Sequence, residues 1–145
     1  MNPLKALQNH GQSRLGSGDY PAILAYIERK PTHVAQLTET RRRLRNGKHV
    51  ATSIGFGPRY LHSTGQAYKG GPNSGVFLQI TCDDIADVPA PGTKYAFGAV
   101  KAAQARGDFA VLAERGRRAL RVRLGPDVQD GLARLDLAIE RAGLR

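Results

Sequence analysis

Short apolar, β-rich runs alternate with helix-period segments along most of this chain, and that alternation constrains its fold more than any other feature. The clearest run is "SGVFLQITC", Ser74 to Cys82, bounded by Gly75 and by Asp83 and Asp84. "HVATSIGFG" reads as a buried strand closing on glycines, and "ALRVRLG" as a short strand apolar at Leu120, Val122 and Leu124. "YPAILAYI", Tyr20 to Ile27, fits a strand or a short helix, and Pro21 suits a central strand only at its start. The intervening segments read as helices. Thr32 is a fair N-cap for one on which Val34, Leu37, Arg41 and Leu44 share a helical spacing, with Asn46-Gly47 as its stop. "HSTGQAYK" is a short polar helix with Ser63 or Thr64 as cap. "DDIADVPAPGTK" is a loop, from its prolines and glycine. Tyr95 to about Arg115 is helical, carrying Phe97, Val100, Ala103, Phe109, Leu112 and Ala113, with a break near Gly107. A last helix runs from about Asp127 to Ala142, with Val128, Leu132, Leu135 and Ile139 on one face and Pro126 in its first turn. The pattern predicts a three-layer α/β fold, a mostly parallel sheet flanked by helices.

A length of 145 residues suits one domain with a real core. Residues 1–18 are polar and Gly-rich, and read as an arm or linker remnant ahead of a single domain over 19–145. The start lacks the apolar core of a secretory signal, and no apolar run reaches membrane-spanning length. The lone Cys82 excludes an internal disulfide and a thiolate metal cage, and fits a cytoplasmic location. Lysine and arginine outnumber aspartate and glutamate 22 to 12, for a net charge of +10, so the surface attracts anions. Much of the excess lies in "TRRRLRNGK" and "RGRRALRVR". These fit a solvated helix end and a helix-strand junction better than a nucleic-acid groove, because no aromatic residues interleave with them for stacking.

The polar stretch "FGPRYLHSTGQAYKGGPNSG" carries the chemistry. It follows a strand, where parallel sheets hold their ligands. Ser63, Thr64 and Gly65 entering a helix offer backbone N–H groups to an anion, although the same residues serve as an ordinary cap. Arg59 and Lys69 add positive charge suited to a phosphate or a sugar hydroxyl, and Gln66 adds an amide. Gly70 and Gly71 allow close approach of backbone to a ligand. His62 is a proton-transfer candidate, since imidazole titrates near neutral pH, with a structural hydrogen bond as the plainer role. No metal-ligand spacing, phosphate-binding loop or nucleophile elbow occurs, so neither a metal nor a cofactor is expected.

The run "GFGPRYLHSTGQAYKGGPNSGVFLQIT" closely resembles the C-terminal part of bacterial bifunctional transaldolase/phosphoglucose isomerases. "GDYPAILAYI", "YAFGAVKAAQARGDFAVL" and "RVRLG" extend the likeness over nearly the whole chain after the arm. The resemblance implies a sugar-isomerase-domain fold and a part in interconverting glucose 6-phosphate and fructose 6-phosphate, by ring opening and proton transfer through an enediol. By local match it implies Lys69 as the family's sugar-holding lysine, so that Lys69 and, on its own chemistry, His62 are the catalytic candidates, with Arg59, Ser63, Thr64, Gly65, Gln66, Gly70 and Gly71 as candidate substrate contacts. Relatives place a glutamine seven positions before the lysine, whereas here that position is His62 and the glutamine is Gln66. The family's glutamate base, its main phosphate loop and the transaldolase barrel lie outside this sequence. Activity is therefore expected only when the rest of the isomerase or transaldolase, or a second copy, completes the site. The alternatives are a phosphosugar-binding or regulatory domain without catalysis, and a basic nucleic-acid-binding protein.

Overall fold

The computed structural model describes residues 15–142, so most of the expected N-terminal arm lies outside the described residues. The alternation resolves into four strands and four helices: β1 (Tyr20–Tyr26), α1 (Pro31–Lys48), β2 (Ser53–Phe56), α2 (Gly65–Gly70), β3 (Gly75–Thr81), α3 (Phe97–Glu114), β4 (Arg118–Arg123) and α4 (Val128–Arg141). A single 3-10 turn, Arg59–His62, precedes α2. All four strands are parallel, in the order β2-β1-β3-β4. The protein is thus a three-layer α/β domain.

Strand alternation sorts side chains between two cores. Ile23, Ala25 and Ile27 from β1 and its end, with Ile80 and Val122, pack against Leu37 and Leu44 of α1 and Leu132, Leu135 and Ile139 of α4. Ala22, Leu24, Tyr26 and Phe77 face the other way, against Tyr60, Tyr68 of α2, and Ala105 and Leu112 of α3. Pro21 sits inside a central strand without loss. The Tyr20 N–H bonds to Ser74 on the β3 side, so the missing N–H of Pro21 belongs to the β2 side, where pairing starts only at Ala22.

Several local expectations are corrected. Helix α1 begins at Pro31, with Thr32 already inside its first turn, because proline's fixed φ suits that position. It runs past Asn46-Gly47 and ends where His49 takes the left-handed conformation. The residues α1 buries are His33, Leu37, Thr40 and Leu44. Strand β2 is half-buried, as an edge strand should be. Neither Ser63 nor Thr64 caps α2 through its side chain. Helix α3 passes through Gly107 unbroken, burying Ala105, Asp108 and Leu112. Its first turns turn Phe97 and Val100 outward, at 58% and 41% exposure. Pro126 lies just before α4, whose N-cap is Asp127, accepting from the Asp130 N–H at 3.0 Å.

Candidate functional site

The polar stretch stands at the carboxyl edge of the sheet, immediately after β2. It is entered by a Gly57–Pro58 peptide in the cis form. Gly57 is required there, since a Cβ on it would meet the Tyr26 ring at 2.5 Å. Tyr60 then inserts into the α3-side core with Leu61 half-buried against it, while Arg59 and His62 on the same 3-10 turn are held outward. Arg59, His62, Ser63, Thr64 and Gln66 are all exposed, while Gly65 is buried. The Ser63 hydroxyl donates to the Tyr60 carbonyl at 3.2 Å, a local bond within the turn. Helix α2 has only six residues, too few peptide units to sum to a sizeable dipole.

Lys69 is placed differently. Its ammonium lies 2.6 Å from Asp108 Oδ1 on α3, and the Asp108 side chain is only 2% exposed. The other carboxylate oxygen accepts from the Tyr60 hydroxyl, which stands 3.4 Å from that of Tyr26. Lys69, Asp108, Tyr60 and Tyr26 form one buried polar chain from the surface toward the sheet. Burial pushes the Tyr26 phenol up to about 12, and burial followed by the Asp108 hydrogen bond pushes Tyr60 higher still. Both phenols are therefore neutral donors throughout the physiological range.

The glycine pair at the end of α2 serves the packing of the chain on itself. One Arg117 Nη2 donates to the carbonyls of Lys69 and Gly71, at 2.6 and 2.7 Å. A Cβ on Gly71 would meet the Ala67 carbonyl oxygen at 2.5 Å, whereas one on Gly70 would meet nothing. The structure thus brings Arg59, His62, Ser63, Thr64 and Gln66 onto one exposed segment. Lys69 is drawn inward to Asp108, and Gly70 and Gly71 lie at the far end of α2.

Asp108 is the group that sequence reasoning missed. The available signal was its spacing, three after Ala105 and four before Leu112, on the buried stripe of α3. A carboxylate on a buried stripe needs a cation or a donor, and Lys69 with Tyr60 supplies both.

Sheet topology marks a second place for chemistry. From β1 the chain leaves toward α1 on one face, and from β3 toward α3 on the other, so the carboxyl ends of these adjacent strands open a crevice. Two cavities lie there. One, of about 590 Å³, is lined by Glu28, Lys30, His33, Cys82, Asp83 and Asp127 among others. His33 is buried, with Nδ1 2.8 Å from the Glu28 carbonyl oxygen. Burial raises the Cys82 thiol. The other cavity, of about 360 Å³, lies on the α3 side between Tyr26, Cys82, Lys101, Arg106, Arg121 and Arg123. Among the described residues, no group of three or more His, Cys, Asp or Glu side chains is placed to hold a metal ion.

The arginine runs are largely engaged within the fold. On α1, Arg42 and Arg43 pair with Glu39, and Arg43 also pairs with Asp136 of α4. Around β4, Arg118 forks onto Asp19 at 2.5 and 2.8 Å, and Arg123 pairs with Asp83. Arg121 donates to Gln79 and to the Ala105 carbonyl. The runs thus brace the helix packing and the β4 edge of the sheet.

No family model and no curated protein matches the chain. Among solved structures, it is similar to a hypothetical protein of Thermus thermophilus, with a TM-score of 0.75 at 17% identity. The likeness covers 97% of this chain and 38% of that one, so the chain spans well under half the length of its structural neighbour. At that identity the similarity establishes the fold. Among the described residues, no helix is long and apolar enough to cross a membrane.

Proposed function

We propose that the chain is the C-terminal module of a transaldolase/phosphoglucose isomerase and contributes ligand contacts to a phosphosugar site. The observation that carries this reading is the run "GPRYLHSTGQAYKGGP" standing directly after β2, with Arg59, His62, Ser63, Thr64 and Gln66 exposed at the carboxyl edge. An open edge of hydrogen-bonding side chains beside a guanidinium suits a phosphorylated polyol that a second protein surface encloses from the other side.

The chemistry assigned to the module is partial. Aldose–ketose isomerisation needs a base to move a proton between adjacent carbons, and the exposed segment holds an imidazole but no carboxylate. His62 is free to assist ring opening, and Arg59 to hold a phosphate or hydroxyl. Lys69 reaches a sugar only by sharing or leaving Asp108, which keeps it oriented meanwhile. Alone, the module binds without turnover.

A thermal-shift titration with fructose 6-phosphate, glucose 6-phosphate and inorganic phosphate tests this, beside a coupled isomerase assay. A ligand that binds the folded state raises the melting temperature with its concentration over Kd. The expected result is a larger shift with the sugar phosphates than with inorganic phosphate, with turnover only after addition of an isomerase truncated before its C-terminal module. No shift and no restored turnover in that mixture would remove the reading.

A further inference from the structure

The 360 Å³ cavity on the α3 side is within the size range of small-molecule sites, and its lining is strongly cationic. Lys101, Arg106, Arg121 and Arg123 face it, against a single lining carboxylate, Asp84. Lys101 is 2.6 Å from Asp84, and Arg123 is paired with Asp83 through Nε and Nη2. Arg106 and Arg121 have no carboxylate of their own among the described residues.

Arg121 is held ready rather than loosely solvated. Its Nε donates at 2.7 Å to Gln79, a fully buried side chain in the middle of β3, and its Nη2 donates at 2.8 Å to the Ala105 carbonyl. Its guanidinium carbon lies 4.7 Å from the centre of the Phe109 ring. Gln79 in turn donates to the same Ala105 carbonyl at 3.0 Å, so its amide is fixed at both ends. Two donor edges of Arg121 are thereby committed to the fold, and Nη1 is left for another acceptor. Burial, and then the nearby charge of Arg106, disfavour the Arg121 cation, and an anion between the two would relieve that repulsion.

We propose that this cavity holds the phosphoryl group of a small phosphorylated molecule, gripped by Arg121 and Arg106 with Lys101 and Arg123 at its rim. Planar guanidinium forks match phosphate oxygens, and the position beside the crevice of the parallel sheet is where such folds place ligands. A recessed cavity favours a small molecule over a nucleic-acid backbone, which needs a continuous basic track with stacking rings. The assignment stands on the cavity lining and does not depend on the isomerase reading.

The test is titration of the whole chain with inorganic phosphate, followed by arginine side-chain Nε–Hε resonances and by calorimetry. Saturable shifts are expected at Arg121 and Arg106. Arg106→Gln alters an exposed side chain without a hydrogen-bond or ion-pair partner among the described residues, and should weaken binding about tenfold, as for one lost charge-assisted hydrogen bond. Arg134→Gln, an exposed cation on α4 across the sheet, should leave it unchanged. Loss of binding in Arg59→Gln with none in Arg106→Gln would overturn the proposal and place the anion on the polar stretch. Linear, unsaturated shifts across all basic residues would overturn it too, as would a stronger response to a single-stranded oligonucleotide at equal phosphate concentration. Phosphate binding lost in Arg106→Gln, beside indifference to both hexose phosphates, would uphold this site and count against the phosphosugar reading.

Discussion

The two faces of the sheet are made by the same alternating strands, yet they bury different chemistry. Toward α1 and α4 the core is aliphatic, from Ile23, Leu37, Ile80, Leu132, Leu135 and Ile139. Its buried polar side chains, His33 and Thr40, are satisfied by nearby carbonyls, with Asp136 as a further acceptor for Thr40. Toward α2 and α3, Tyr26, Tyr60, Tyr68 and Phe77 pack edge-on or tilted, at centroid distances of 5.1 to 6.1 Å. Among them sit Asp108, with Tyr60 and Lys69, and Gln79, with Arg121. The aliphatic side asks mainly for volume and shape. The aromatic side asks for particular partners, because each buried polar group left alone is expensive.

That contrast breaks most readily at Lys69. Lys69→Met strips the cation from a carboxylate that is 2% exposed, and stability should fall by about 3–5 kcal/mol. Urea unfolding followed by circular dichroism reads this, and an unmoved midpoint would make the two faces energetically alike. Tyr60→Phe comes next. It keeps the ring packing but removes the Asp108 donor, at about 1–3 kcal/mol. Combined with Lys69→Met the losses should not add, since both act on the one carboxylate. On the aliphatic face, Leu135→Met keeps volume and should cost under about 1.5 kcal/mol with an unchanged denaturant slope. A cost equal to that of Tyr60→Phe would erase the distinction.

The amino edge of the sheet supplies a reference belonging to neither core. Hydrogen bonds from Arg118, then from the Gly16 N–H, hold the Asp19 carboxyl down at about 2. A depressed carboxyl stabilises the fold fully above its ordinary value of 3.8, and that contribution is lost as pH falls from there toward 2. In Arg118→Gln the acid limb of a stability–pH curve should be shallower through this window. An identical limb would mean that the pair adds nothing to stability.

Much of the architecture was legible in the sequence. The run at Gly75–Thr81 stands where its β-rich composition placed it, and Val128, Leu132, Leu135 and Ile139 follow one face of α4. Boundaries were less so. Pro31 at the start of α1 outweighed Thr32, and Gly107 costs an 18-residue helix too little to break it. At the candidate site, the exposed group from Arg59 to Gln66 was legible because it is local, one short polar segment between two strands. The inward turn of Lys69 was not, nor the use of Gly71 and Arg117 to close α2 onto the fold.

By itself the sequence determined which segments alternate with period two and which carry helical spacing, and so the layers and the buried face of α4. Those are local properties of the backbone, fixed by the geometry of strand and helix. The tertiary structure decided that Asp108 is the partner of both Tyr60 and Lys69, and that Arg121 leans on Gln79 over the cavity. Tyr60 and Asp108 are 48 positions apart, and Gln79 and Arg121 are 42 apart. Pairings of that range arise only when separate elements dock on one sheet, where burial forces each polar group to take the partner that topology brings beside it.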